Sequence, residues 1–352
     1  MDALIEQFLD QDLDEWTRKV IARHFDPEGG SPYWLKRAAS LPFDPRDVTR
    51  YEEMAAFGPF PLVDLRTLDP ADLVPRSVPR PLIGRVFDSG GTTGDPCRVF
   101  YTARMLRQRG VWRRWSLRAE GFEPGRAWLQ ATPTGPHIIG HGVTELTEYD
   151  DARVFVIDVD PRWVKRLVRA GRPAEAEAYT HHVVDQIANI VELQAIDYMS
   201  TTPTLFRAFV QEAPDLARTL KGIRVAGTQI TPAMNRAFRE VLSGGIVGRT
   251  YGNTFGVAAG LPAAPDGGIL PYVPTYPHVT MAVTDKQDWR RVVSYGAMGR
   301  VRLTVLHEDL FLPNILERDQ AMRYDTGPEW PCDGVANVRP LQITRATPEG
   351  IY

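Results

Sequence analysis

The sequence predicts an α/β fold, with parallel sheets flanked by helices and a small β-rich subdomain. Three observations predict it. Between residues 81 and 242, apolar runs of strand length alternate with segments of helical periodicity, the pattern of a parallel sheet covered by helices. After about residue 262 the texture changes to short strand-like runs separated by Gly, Pro and Asp. Between these, a glycine-rich stretch, "DSGGTTGDPCR" (88–98), follows the apolar run "PLIGRVF". The chain has 352 residues, 43% of them hydrophobic, so it can build more than one core. The expected division is 1–80 as a helical and irregular segment packed on the core, 81–261 as the α/β core, and 262–352 as the β-rich subdomain and tail.

Residues 1–25 read as one helix, with Leu4, Ile5, Phe8, Leu9 and Leu13 at helical spacing. Residues 31–80 are rich in proline and carry short helical pieces such as "RDVTRYEEMAAF", for which Asp47 is the expected cap. "PLIGRVF" (81–87) reads as a buried strand. The run 102–120 reads as a helix capped by Thr102, giving the order strand, loop, helix. Strands follow at 126–132 and 152–159. "DPRWVKRLVRAG" (160–171) has Asp at the cap, Pro at the first helical position and Gly at the end. Residues 174–195 form a long helical pattern, "AIDYMSTTP" and "GIRVAGTQI" are strand-like, and 231–242 is a capped helix. In the C-terminal part, "GGILPYVPTYPHVTMAVTD", "RRVVSYG" and "GRVRLTVL" are strand-like.

Composition narrows the function. The formal net charge is −3, which argues against a general nucleic-acid surface. No run of about 18 apolar residues is present, so no membrane-spanning helix is expected. The acidic, amphipathic start "MDALIEQFLDQDLDEW" lacks the features of a signal peptide. Two cysteines, Cys97 and Cys332, support neither a disulfide framework nor a cysteine zinc cluster. The expected location is the cytoplasm.

Glycines let backbone N–H groups wrap an anion, and threonine hydroxyls add donors to phosphate oxygens. "SGGTTGDP" is therefore suited to a polyphosphate; the same composition also suits a tight surface turn. It is neither a Walker A loop, lacking the closing Gly-Lys-Ser/Thr, nor the dinucleotide fingerprint.

Companion segments follow in order. "SGGTTGDP" resembles the phosphate loop of the adenylate-forming superfamily: acyl-CoA synthetases, adenylation domains and luciferases. "AGTQITP" (226–232) looks like the adenine-side segment of its phenylacetate-CoA-ligase branch. "TYGNTFG" (250–256) resembles its Tyr-Gly-x-Thr-Glu motif. "LPNILERDQA" (312–321) resembles the segment whose Asp holds the ribose hydroxyls, and "ATPTGPH" (131–137) stands where the family places a gate near the acyl site. The likeness spans roughly 80–337.

The resemblance implies the N-terminal domain of the adenylate-forming fold. It also implies ATP-dependent activation of a small aromatic carboxylic acid as its adenylate, with release of pyrophosphate. ATP and Mg²⁺ are the implied cofactors. Ser89, Gly90, Gly91, Thr92, Thr93 and Gly94 would hold the ATP phosphates, Thr92 and Thr93 acting in catalysis. Gly227, Thr228 and Gln229 would lie along the adenine and Tyr251 would stack on it. Gly252, Asn253 and Thr254 would complete the nucleotide site, Thr254 facing the α-phosphate. Asp319 would accept from both ribose hydroxyls, and His137 would line the acyl end. Catalysis of this kind is positioning and charge neutralisation.

The sequence departs from the pattern at Phe255, where the family carries a Glu that helps hold Mg²⁺; Glu145, Glu308 and Asp309 are unplaced substitutes. Cys97 stands where many members have Lys, with Arg98 the alternative charge. The chain stops at Tyr352, where the family continues into a C-terminal cap domain. The resemblance is therefore to truncated members of phenazine-type antibiotic pathways, which hand the acyl group to a partner such as a reductase. A non-catalytic nucleotide-binding protein, or a ligase completed by a cap in trans, is the competing expectation. Plainer readings remain for other features. His181, His182 and Asp185 read as a solvated helix face rather than a metal site. The basic stretch 107–118 reads as a helix packing Trp112 and Trp115 into the core. A nucleophilic role for Cys97 at a helix start is the minor alternative.

Overall fold

The computed structural model describes residues 3–90 and 95–341. The chain divides into two compact units. The first comprises Met1–Trp112, Asn253–Ala258 and Val273–Ala336; the second comprises Arg113–Gly252, Ala259–Tyr272 and Asn337–Tyr352. Among the described residues no helix is long and apolar enough to cross a membrane.

The second unit holds a parallel sheet in the order Arg153–Val156, Ala127–Gln130, Tyr198–Thr201, Gly222–Val225, Ile246–Gly252. Three of these strands are buried along their whole length. Both faces are covered, so even Gln130, Ser200, Thr201 and Arg224 on them are buried and burial does not alternate along the strand. Helices Pro161–Arg169, Pro203–Glu212 and Pro232–Val241 start in the same way: a capping side chain, then proline at the first helical position. Asp160 accepts from the amides of Arg162 and Trp163, Thr202 from Leu205 and Thr231 from Met234. The core gathers Leu129, Val183, Ile187, Met199, Phe206, Phe209 and Ile223, all at most 1% exposed. Each such side chain contributes roughly 1.5–3 kcal/mol of burial. The largely buried side chains of Arg224 and Glu120 in this unit stand 3.8 Å apart. Glu120 Oε1 accepts from the Arg249 amide at 2.7 Å, and Arg224 donates to Ser116 Oγ at 2.7 Å and Thr250 Oγ1 at 3.0 Å.

The first unit is built on antiparallel strands Val279–Thr284, Met298–His307 and Leu310–Tyr324. The N-terminal segment packs on them. Trp16 Nε1 donates to Leu306 O at 2.7 Å and Trp34 Nε1 to Phe311 O at 2.9 Å. Phe25, Trp34 and Phe57 all make ring contacts with Phe311.

Several expectations change. The first helical stretch is two helices, Ala3–Leu9 and Leu13–His24, because Asp12 caps the second by accepting from Glu15 N. Within 46–57 the helical piece is Tyr51–Phe57, with Arg50 rather than Asp47 at its cap position and Glu53 Oε2 accepting from the Arg50 amide at 3.0 Å. "RRVVSYG" forms no strand, only an isolated bridge from Val292 to Thr284. The strand at "PLIGRVF" is Gly84–Asp88, with only Phe87 buried, and it pairs antiparallel with Arg98–Thr102. The glycine loop thus joins a hairpin, and the order is strand, loop, strand, helix. The helix Ala103–Glu120 does start at Thr102, whose Oγ1 accepts from Met105 N at 3.3 Å. Trp112 on it is buried and Trp115 half-buried.

Candidate functional site

Gly91, Thr92, Thr93 and Gly94 lie outside the described residues. The neck of their loop is described. Ser89 N–H donates to Cys97 O and Cys97 N–H to Ser89 Oγ, both at 2.8 Å. Two chain segments on either side of the loop are thereby clamped, and the Ser89 hydroxyl oxygen is used in the clamp. Gly90 adjoins it and is exposed. Cys97 precedes a strand rather than a helix, and its buried Sγ donates to Leu62 O at 3.4 Å. The helix-dipole argument for a reactive thiol therefore fails.

The segment after Gly252 folds onto this neck within the first unit. Thr254 is buried, and its Oγ1 donates to Asp88 O at 3.2 Å. Tyr101 OH lies 2.9 Å from Thr254 O and 3.3 Å from Phe255 O, holding the following peptide from the other hairpin strand. Asn253 builds the turn. Its Oδ1 accepts from the amides of Phe255 at 2.8 Å and Gly256 at 3.3 Å, as Asn does when it mimics a backbone turn. Its Nδ2 donates to Glu317 Oε1 at 2.6 Å.

Glu317 and Asp319 lie where the strand Leu310–Tyr324 is irregular. Arg302 faces Leu316 and Arg300 faces Gln320, so four steps on one strand oppose two on the other. Such a bulge re-aims side chains. Arg300 ties it down, donating to Glu317 O at 2.7 Å and Leu316 O at 3.0 Å. Burial, then the neighbouring negative charge of Asp319, push the Glu317 carboxyl up to about 7, against the pull of the Asn253 hydrogen bond. Asp319 itself is half-buried.

The remaining expected residues belong to the second unit. Gly227 has φ +86°, a conformation that favours glycine. Thr228 Oγ1 lies 3.4 Å from Thr204 Oγ1, and Gln229 is half-buried. Tyr251 is half-buried with its ring centroid 6.1 Å from that of Tyr272, and Gly252 is exposed. His137 is buried at the start of the turn Ile138–His141.

Phe255 is buried and offers no oxygen to a metal. The three substitute carboxylates are committed to cations. Glu308 pairs with Lys19 at 2.9 Å and also with Arg104. Asp309 pairs with Arg23 at 3.1 Å and accepts from Thr102 Oγ1 at 2.8 Å. Glu145 lies 3.6 Å from Arg113. His181 pairs with Glu212 at 2.9 Å, and among the described residues no group of three or more His, Cys, Asp or Glu is placed to hold a metal. Among the described residues, Phe255 and these three committed carboxylates do not fit a protein-held Mg²⁺.

Sequence reasoning missed Asp88, Tyr101 and Glu317. Glu317 sits two residues before Asp319 in the motif segment, and that second carboxylate was a usable signal. Nothing in the sequence marks Tyr101 or the Asp88 carbonyl, which act through a hairpin that the spacing did not reveal.

Neither a family profile nor a curated protein matches the chain. Solved structures do. A 2-hydroxyisobutyryl-CoA ligase in complex with 2-HIB-AMP and CoA, in the thioesterification state, is similar over 94% of this chain and 67% of its own. The TM-score is 0.67 and the identity 15%. The open conformation of that ligase with the same ligands gives 0.65 at 16%, over 93% and 68% of the two chains. Its postadenylation state with 2-HIB-AMP gives 0.64 at 16%, over 92% and 65%. This chain therefore spans about two thirds of the length of those ligases. The fold is that of the N-terminal domain of adenylate-forming enzymes.

Proposed function

We propose that the chain activates a small carboxylic acid as its acyl-adenylate at the expense of ATP, releasing pyrophosphate. The carrying observation is convergence within the first unit of three segments far apart in sequence. Asp88 at the loop neck accepts from Thr254, and Asn253 is bonded to Glu317 two residues before Asp319. A carboxylate at Asp319 offers two acceptor oxygens to a ribose diol, and Thr254 is fixed beside the loop that would carry the phosphates. Mg²⁺ in this reading arrives chelated by the ATP phosphates, consistent with its habit of binding through few protein ligands. The acid in this reading is a small aromatic one, and the acyl group passes to a separate partner such as a reductase or another acyl acceptor.

Calorimetry of Mg·ATP and AMP on the wild type and Asp319→Ala tests the reading, followed by pyrophosphate release with aromatic acids. Nucleotide binding is expected in the wild type and a loss of at least about tenfold in the variant, the scale of a lost charge-assisted hydrogen bond. A wild type that binds neither nucleotide sinks the proposal.

A second reading has its own observation. Phe255 is buried, 6% exposed, where the resemblance expects a metal-holding Glu. This supports a nucleotide-binding protein that performs no chemistry. Nucleotide binding without pyrophosphate release, whatever acid is supplied, would decide for it.

A further inference from the structure

Within the first unit lies a cavity of about 50 Å³, room for roughly four waters. Its wall is mostly apolar, with Tyr101, Trp112, Phe255 and Val279 among its residues. Phe255 follows directly on Thr254. None of the wall comes from the His137 segment, where the resemblance places the acyl end.

The wall also contains His278, which is 5% exposed. Its ring is fixed on three sides. Phe8 meets it edge-on at 4.8 Å and Trp16 at 5.4 Å, and the His307 ring lies at 5.1 Å. Nε2 of His278 is buried and has no hydrogen-bond partner among the described residues. The neighbouring histidines are satisfied. His24 bonds Ser31 Oγ and His307 O; His307 bonds Gln108 Oε1 and the Asp309 amide. A buried ring nitrogen without a partner is costly, so a polar group that enters this cavity gains by answering it. Arg109 lines the cavity too, but it already has an interaction of its own.

We infer that this cavity takes the hydroxylated end of a single-ring aromatic carboxylic acid, with His278 Nε2 as the partner of the ring hydroxyl. The choice of a carboxylic acid rests on the proposed function; the choice of a hydroxyl rests on the cavity. Burial holds His278 well below the usual histidine range, so its ring is neutral near pH 7. A neutral imidazole offers one N–H and one lone pair, and a hydroxyl can answer either, whereas a second carboxylate would need a cation. The aromatic wall suits the edge of a ring. A site that hydrogen-bonds a buried hydroxyl rejects the analogue lacking it, because the nitrogen is then left unpaired. His278 is thereby a specificity residue.

The test is a binding titration of the full chain with benzoate and its 2-, 3- and 4-hydroxy derivatives, with and without Mg·ATP. At least one hydroxy acid should bind about tenfold tighter than benzoate, and His278→Phe, which keeps a ring between Phe8 and Trp16, should abolish that preference. In the wild type alone, the His278 ring resonances should move with the preferred hydroxy acid and not with benzoate. This arm holds even if the variant fails to fold. No preference in the wild type, a preference that survives in a folded variant, or unmoved His278 resonances would each overturn the inference. Because binding is scored without catalysis, the outcomes separate. Hydroxyl-selective binding without pyrophosphate release sinks the proposed function alone. Pyrophosphate release indifferent to the hydroxyl sinks this inference alone.

Discussion

Asn253 Nδ2 donates to Glu317 Oε1 at 2.6 Å across 64 residues of sequence. The same Asn253 side chain accepts from the amides of Phe255 and Gly256 through Oδ1. One amide therefore shapes the turn that carries Thr254 and also secures the strand bulge that carries Asp319.

The Glu317 carboxyl is held up to about 7, against an ordinary value of 4.5. The folded state then keeps a proton that the unfolded chain has already released, so stability falls as pH rises from the ordinary value through 7. Glu317→Gln removes that dependence while keeping an acceptor for Asn253. The variant should be more stable than the wild type at pH 8 by about 1–2 kcal/mol, with the gap closing by pH 5. Melting curves at the two pH values check this; an equal gap at both would show that Glu317 does not titrate here.

Tyr101→Phe removes the hydroxyl that holds Thr254 O and Phe255 O. The ring stays, so the expected loss is the hydrogen bond alone, about 1–2 kcal/mol in a buried setting. Denaturant unfolding measures it. Under the proposed function, pyrophosphate release should fall with it, since Thr254 loses part of its support.

Gly84 faces Thr102 in the hairpin, and a Cβ there would come within 2.0 Å of Tyr101 O. That contact is backbone and cannot yield like a flexible side chain. Gly84→Ala should cost more than about 2 kcal/mol and shift the hairpin. A melting temperature unchanged from wild type would show that the strand is loosely held.

Phe255→Glu would place a carboxylate in a buried, mostly apolar wall. Losing a buried Phe costs about 3–5 kcal/mol, and the charge adds a desolvation penalty. The expected result is a destabilised protein with no gain in pyrophosphate release. A stable variant with raised activity would instead show that the loop can accept a metal-binding Glu.

Local signals were legible where local physics decides. The capping Asp160, Thr202 and Thr231, each followed by proline, mark helix starts because cap and ring act on their own first turn. The parallel strands were legible from their alternation with helical segments, not from an unbroken apolar run, since Gln130, Ser200, Thr201 and Arg224 stand on them. The hairpin was not legible. Arg98–Thr102 follows a glycine loop that suggested a helix start, and only pairing with Gly84–Asp88 makes it a strand. Glu317 stood beside Asp319 in plain sight, but its raised pKa needs burial and a neighbour that sequence spacing does not supply.

By itself the sequence determined the α/β class and the parallel strands of the second unit. Both follow from periodicity, capping and turn chemistry within a few residues. The tertiary structure alone decided that Thr254 meets the Asp88 carbonyl, that Asn253 meets Glu317 across a strand bulge, and that His278 lies buried in a cavity wall with its Nε2 unpartnered among the described residues. Such relations arise from packing between segments tens to hundreds of residues apart. Burial and approach distance, which set their energies, are properties of the folded chain and not of any stretch of it.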